Sequence, residues 1–102
     1  MSQFQILLVV VSRGLADAVI QTAHGAGALG GTIVPCRGSG HHDLHELMHV
    51  PLDTERELVI ILSPESTTKA VAEAINGHLA LDEPGNGLLI TLAADRFGGD
   101  VT

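Results

Sequence analysis

The chain has no tyrosine or tryptophan, only two phenylalanines, a single cysteine and five Lys plus Arg in 102 residues. Each shortage removes a class of function. Twelve Asp plus Glu against those five cations give a formal charge of -7. Such a chain offers neither stacking platforms for bases nor a patch that neutralises phosphates, so nucleic acid is not an expected partner. Cys36 has no second cysteine with which to form an internal disulfide. That excludes a disulfide scaffold, fits a reducing cytosol, and leaves Cys36 as a small buried residue. The apolar run from Ile6 to Val11 is six residues long and no basic segment precedes it. It is too short for a signal peptide or a membrane span, so a cytoplasmic protein without membrane insertion is expected. No Gly-x-x-x-x-Gly-Lys-[Ser/Thr] occurs, which excludes a P-loop. No Ser-His-Asp or Cys-His constellation can be placed either, and the chain is expected not to be an enzyme.

What remains is aliphatic: 45% of residues are hydrophobic, and with so few aromatics Val, Ile, Leu and Ala must supply the core. "FQILLVVVS" reads as a strand buried on both faces. From Leu15 to Ala26, Leu15, Val19, Thr22, Ala23 and Ala26 form one stripe of a helix, which glycines 25, 27, 30 and 31 stop. "GTIVPCR" is a second strand, placed at an edge or a bulge by Pro35. "ELVIILS" is a third. "SPES" opens a second helix, with Ser63 as cap, Pro64 in the first turn and Glu65 facing the dipole; Val71, Ile75 and Leu79 are its buried edge beside Thr68 and Ala72. "LDEPGNG" is a turn and "LLITLAAD" a fourth strand.

This β-α-β-β-α-β order predicts an α+β, ferredoxin-like fold: an antiparallel four-stranded sheet with two helices on one face. One domain is expected over residues 1–97, with a loop at 41–56 and a short tail at 98–102. Three of the four strands are apolar at consecutive positions, so both faces of the sheet need cover, and two helices cover only one. The other face calls for sister subunits, that is, a homo-oligomer.

Glycine clusters punctuate the strands: "GAGALGGT" before the second, "RGSG" after it and "EPGNG" before the fourth. At strand ends such clusters let backbone N–H groups approach an anion or a base. The run "AGALGGTIVPCRGSG" resembles the signature of the PII signal-transduction family, in which Ala-Gly-x-x-Gly-x-Thr opens the second strand and Gly-x-Gly closes it before a long T-loop. "PGNGLLITL" resembles the family's B-loop, and the likeness spans roughly residues 4 to 96. It implies a homotrimer that serves nitrogen regulation and signal transduction, binding an adenine nucleotide between subunits and signalling through the 41–56 loop to a regulated transporter or enzyme. Carried over by position, Thr32, Gly38 and Gly40 line the base and ribose side, with Ser39 and His41 beside them as further ligand-binding candidates. Gly85, Asn86 and Gly87 offer N–H groups to phosphates, and Arg96 stands for the family's basic C-terminal segment.

The departures are specific. The chain has no tyrosine to be uridylylated, His41 and Leu88 stand where basic residues are expected, and Asp82 and Glu83 lie where the B-loop often carries a lysine. Each lost cation removes a charge-assisted contact to phosphate, which favours AMP or ADP over ATP.

The stretch "GSGHHDLHELMHVPLD" packs four of six histidines into nine residues. On a helical turn, His41, His45 and His49 recur every four residues with His42 and Glu46 beside them, a spacing that can hold zinc or copper. A metal-binding PII-like or CutA-like protein is therefore the alternative. His45, Glu46 and His49 also match H-E-x-x-H, but Gly40 and Pro51 bound too short a helix for a metallopeptidase.

Overall fold

The computed structural model describes residues 3–39, 53–80, 87–95 and 98. In chain order these form β1 (Phe4–Ser12), α1 (Ala16–Gly25), β2 (Gly30–Ser39), β3 (Asp53–Pro64), α2 (Glu65–Leu79) and β4 (Leu88–Ala93). The strands make one sheet in the order β2-β3-β1-β4, and every neighbouring pair is antiparallel. This is the ferredoxin-like fold. Pro35 lies on β2, an edge strand, where a residue without an N–H does least damage to the ladder.

Strand alternation divides the sheet into two faces. Leu7, Val9 and Val11 of β1 and Val59 and Ile61 of β3 are fully buried beneath Ala16, Val19 and Ala23 of α1 and Val71 and Ile75 of α2. The residues between them, Ile6, Leu8 and Val10 on β1 and Leu58, Ile60 and Leu62 on β3, face the other way. Cross-strand register aligns them with β4 in three aliphatic rungs: Leu62–Ile6–Leu92, Ile60–Leu8–Ile90 and Leu58–Val10–Leu88. Among the described residues nothing covers this second face: Leu88 is 54% exposed, Leu92 46%, Ile90 42% and Ile60 37%. A contiguous exposed apolar patch of this kind is what interaction surfaces present.

The helices differ in detail from their sequence signals. The α1 stripe is rotated so that Ala16 is buried and Leu15 is 39% exposed. Ser63 does not cap α2. Pro64, at φ -56 and ψ 140, continues β3 as extended chain, and the helix begins at Glu65 with no side-chain cap. Pro64 lacks an N–H but keeps its carbonyl, and the hydroxyl of Thr68 lies 3.1 Å from that oxygen. Ser63 is instead a buried residue of β3 whose hydroxyl meets that of Thr67 at 3.0 Å.

Two glycines of the first cluster set how closely α1 and α2 approach the sheet. A Cβ on Gly31 would lie 3.0 Å from Ile20 Cγ1, and one on Gly27, which has φ +116, would lie 2.9 Å from Thr67 Cβ. At the other end of α2, Ala80 closes the helix in the left-handed region, φ 50 and ψ 52, its N–H donating to the Asn76 carbonyl. An L-alanine pays a Cβ penalty there that glycine does not. Ala80→Gly is therefore expected to stabilise the chain by about 0.5–1 kcal/mol, read as a higher midpoint in urea at unchanged slope.

Candidate functional site

Four of the residues that the glycine signatures single out lie among the described ones. Thr32 sits on β2, exposed, opposite Ile60 on the uncovered face of the sheet. Gly38 and Ser39 end the same strand, paired with Thr54 and Asp53. Gly87 immediately precedes β4 with φ +142, a backbone setting that L side chains rarely adopt. Gly40, His41, Gly85, Asn86 and Arg96 lie outside the described residues, as do His42, His45, Glu46 and His49. The metal expectation built on the histidine segment thus falls wholly outside them.

The sheet order decides what these positions can do together. β2 and β4 are opposite edges, with β3 and β1 between them. Three interstrand steps of about 4.8 Å separate the edges by roughly 14 Å. Yet Gly38, Ser39 and Gly87 sit at the same end of the sheet: Leu88 pairs with Val10, Val10 with Leu58, and Leu58 with Val34, so Gly87 and the last residues of β2 lie beyond one common rung, whereas Thr32 is level with the central one. One chain therefore carries Gly38 and Ser39 on one flank of that end and Gly87 on the other. They can close on a single small ligand only if the β2 edge of one copy meets the β4 edge of another.

At that same end is a feature the sequence reading missed. β3 starts at Asp53, so residues 53–56, read from sequence as loop, are strand, and "TERE" acquires the two-residue alternation of a sheet. Glu55 and Glu57 fall on the helix side and Arg56 on the other. The Glu57 carboxylate accepts hydrogen bonds from the backbone N–H of Gly14 at 2.7 Å and of Ala16 at 3.2 Å, capping the start of α1 from a different strand. Glu55 is ion-paired with Arg13 of the β1–α1 turn. Both partners are mostly exposed, 73% and 64%, and such pairs add only about 0–1 kcal/mol. Arg37 of β2 is the register partner of Glu55.

Arg13, Arg37, Arg56, Cys36, Glu55 and Glu57 line a pocket of about 480 Å³. Cys36 is half-buried there and not a core residue, because the even positions of β2 lie on the face away from the helices. The signal was present as three of the chain's five cations and two carboxylates. Their convergence was invisible because it joins three separate segments of the chain, the β1–α1 turn, the end of β2 and the start of β3.

Comparison with known proteins bears on the fold and the family. No curated protein sequence matches the chain. Among solved structures, a DUF3240 family protein from Shewanella baltica superposes with a TM-score of 0.70 at 14% identity, covering 97% of this chain and 98% of that one. The Arabidopsis thaliana PII bound to citrate gives 0.68 at 18% identity over 91% and 78% of the two chains. The B. subtilis GlnK–ATP complex gives 0.67 at 18% over 91% and 85%. CPII from Thiomonas intermedia, bound to ADP, AMP and acetate, gives 0.66 at 19% over 87% and 83%. These identities speak for the fold alone. The family model described as nitrogen regulatory protein P-II matches residues 4–89, from the first residue of β1 into β4. With that match, the shared topology and the glycine signatures at the strand ends, the chain belongs to the P-II family as a divergent member.

Proposed function

We propose that the chain is a non-enzymatic, trimeric regulator. It binds an adenine nucleotide, AMP or ADP in preference to ATP, in clefts between neighbouring subunits, and presents the bound state to a partner protein through the connection between β2 and β3. The observation that carries this reading is the division of the site. Gly38 stands on one edge and Gly87 on the opposite edge, at the same end of the sheet, with Thr32 further along the β2 edge level with the central rung, and three aliphatic rungs cross β3, β1 and β4 on the outer face. Packing that face against two sister copies covers the apolar rungs and brings unlike edges together in the same step. Two structural neighbours support the ligand class, GlnK in complex with ATP and CPII with ADP and AMP.

The preference for fewer phosphates follows from side chains. Leu88, 54% exposed at the head of β4, stands where a cation would serve phosphate oxygens, and Asp82 and Glu83 add repulsion in the neighbouring sequence. The regulated partner is a transporter or an enzyme, and the setting is the cytoplasm. Residues 1–97 act as one unit, with 98–102 a tail.

Titration calorimetry of the full chain with AMP, ADP and ATP tests the reading. AMP and ADP are expected to bind with one site per chain, and ATP about tenfold or more weakly, the equivalent of one lost charge-assisted contact. Flat titrations with all three nucleotides would overturn the proposal. ATP binding as tight as ADP would overturn the preference while leaving the class.

A further inference from the structure

We propose that Arg13 and Arg37 form a second site, for a small phosphate-bearing anion, which takes up the position beside Arg13 that Glu55 now occupies. Among the described residues, this is where the positive charge of an acidic chain gathers: Arg13, Arg37 and Arg56 line one pocket, and only Lys69 stands apart on α2. The local charge differs from the whole. Three guanidinium groups face two carboxylates in the lining, and one of those carboxylates, Glu57, is already committed to the N–H groups of Gly14 and Ala16.

That leaves Glu55 as the single carboxylate serving the helix-side arginines. It is ion-paired with Arg13. Arg37, across the ladder from it, makes no ion pair among the described residues. Two forked donors therefore stand beside one monoanion, which is paired with Arg13. A phosphate or phosphomonoester carries about 1.5 to 2 negative charges near neutral pH and three strong acceptor oxygens. It can satisfy both guanidinium groups at once, which a single carboxylate on a strand cannot.

Displacement is inexpensive because the Arg13–Glu55 pair is largely exposed to water and contributes little to stability. A cavity of about 480 Å³ exceeds the size of a bare phosphate, leaving room for a small organic remainder. Glu55 is then an internal placeholder: it offsets the positive charge of the arginines in the empty state and swings to solvent when the anion binds. Arg13, Arg37 and Glu55 lie at the β1–α1 turn and on the helix side of the β2–β3 ladder, whereas Thr32 lies on the opposite face. The inference therefore stands independently of the nucleotide reading.

The test is calorimetry of the full chain at low ionic strength with inorganic phosphate and with glycerol phosphate, in the absence of nucleotide. Binding of at least one is expected, at about millimolar affinity and weakening as salt is added. Arg37→Gln and Arg13→Gln should each weaken it about tenfold or more, Lys69→Gln should leave it unchanged, and Glu55→Gln should tighten it several-fold by removing the internal competitor. Tighter binding of glycerol phosphate assigns the site to a phosphomonoester, and tighter binding of phosphate assigns it to the free ion. The proposal is overturned by an absence of heat with both probes, by Lys69→Gln weakening binding as much as Arg37→Gln, or by Glu55→Gln weakening it. Arg37 is exposed on an edge strand, so its variant keeps the test decisive should Arg13→Gln fail to fold. Loss of phosphate binding in Arg37→Gln with AMP binding retained separates the two sites.

Discussion

Ile60→Asp, and independently Ile90→Asp, is expected to reduce the sedimenting mass of the protein from that of three chains to that of one. Both residues belong to the central rung of the uncovered face, Ile60–Leu8–Ile90, flanked by aliphatic rungs on either side. In a single chain each is already partly in contact with water, 37% and 42% exposed, so an aspartate there costs the monomer little. In a trimer closed through this face the carboxylate would lose its hydration among leucines and isoleucines, a penalty of several kcal/mol per ion, repeated by symmetry in each subunit. The asymmetry makes the measurement clean: the fold persists and the assembly dissolves. Glu73→Ala, on an exposed position of α2, should leave the mass unchanged. If both aspartate variants stay trimeric, the copies meet through another surface. If the unmodified chain sediments as a monomer, the divided-site argument for an inter-subunit cleft loses its basis.

Gly27→Ala is expected to cost about 3 kcal/mol of folding stability, from two separate causes. At φ +116 an L side chain is strained whatever space surrounds it, a penalty of about 1–3 kcal/mol. Space is lacking as well, since the new Cβ would lie 2.9 Å from both Cβ and Cγ2 of Thr67 on α2. Moving Thr67 aside has its own consequence. Its hydroxyl lies 3.2 Å from the Gly27 carbonyl, 3.2 Å from the Pro64 carbonyl and 3.0 Å from Ser63 Oγ. The Ser63 hydroxyl, 3.1 Å from the Pro64 carbonyl, can donate there and leave the Thr67 proton for the Gly27 carbonyl, so the link between the end of α1 and the start of α2 depends on this threonine. For a domain of this size the loss corresponds to a fall in Tm of roughly 12–24 °C. A scanning calorimetry trace shifted by less than a few degrees would show that the α1–β2 turn can rearrange, and the tight contact would then carry no structural weight.

This second case shows how a signature glycine can carry two meanings. In sequence, "GAGALGGT" points to a ligand loop by resemblance. In the fold, Gly27 and Gly31 are packing positions, one against Thr67 and one under Ile20, while Thr32 beside them turns to the uncovered face. Glycine is required wherever a backbone approaches something closely, and only the surroundings tell whether that something is a helix or a ligand.

Periodicity carried the element order and the core. Val71 and Ile75 on α2 are buried where a 3.6-residue repeat places them, and the apolar runs of β1 and β3 supply Leu7, Val9, Val11, Val59 and Ile61 to the core. The uncovered face was legible too, because runs such as "ILLVVV" are apolar at even and odd positions alike, and two helices can shield only one set. These are local patterns, and burial responds to local patterns. Sequence erred where two local signals competed. Ser63 and Pro64 both suit a helix start, but a proline with ψ 140 also continues a strand, and pairing with Phe4 across the ladder decided for the strand.

What the linear chain could not show is juxtaposition. Arg13 and Glu55 are 42 positions apart, Glu57 reaches back 43 and 41 positions to the N–H groups of Gly14 and Ala16, and Thr67 reaches 40 to Gly27. No periodicity connects such residues, because their meeting depends on strand order and register, which are set by the whole sheet at once. The order of the elements, with strands apolar at consecutive positions and only two helices to cover them, was enough to determine a ferredoxin-like chain with one face left bare. The placing of Thr32 and Gly87 on opposite edges, and the gathering of three arginines at one end of an acidic protein, were decided only when β3 and β1 came to lie between those edges.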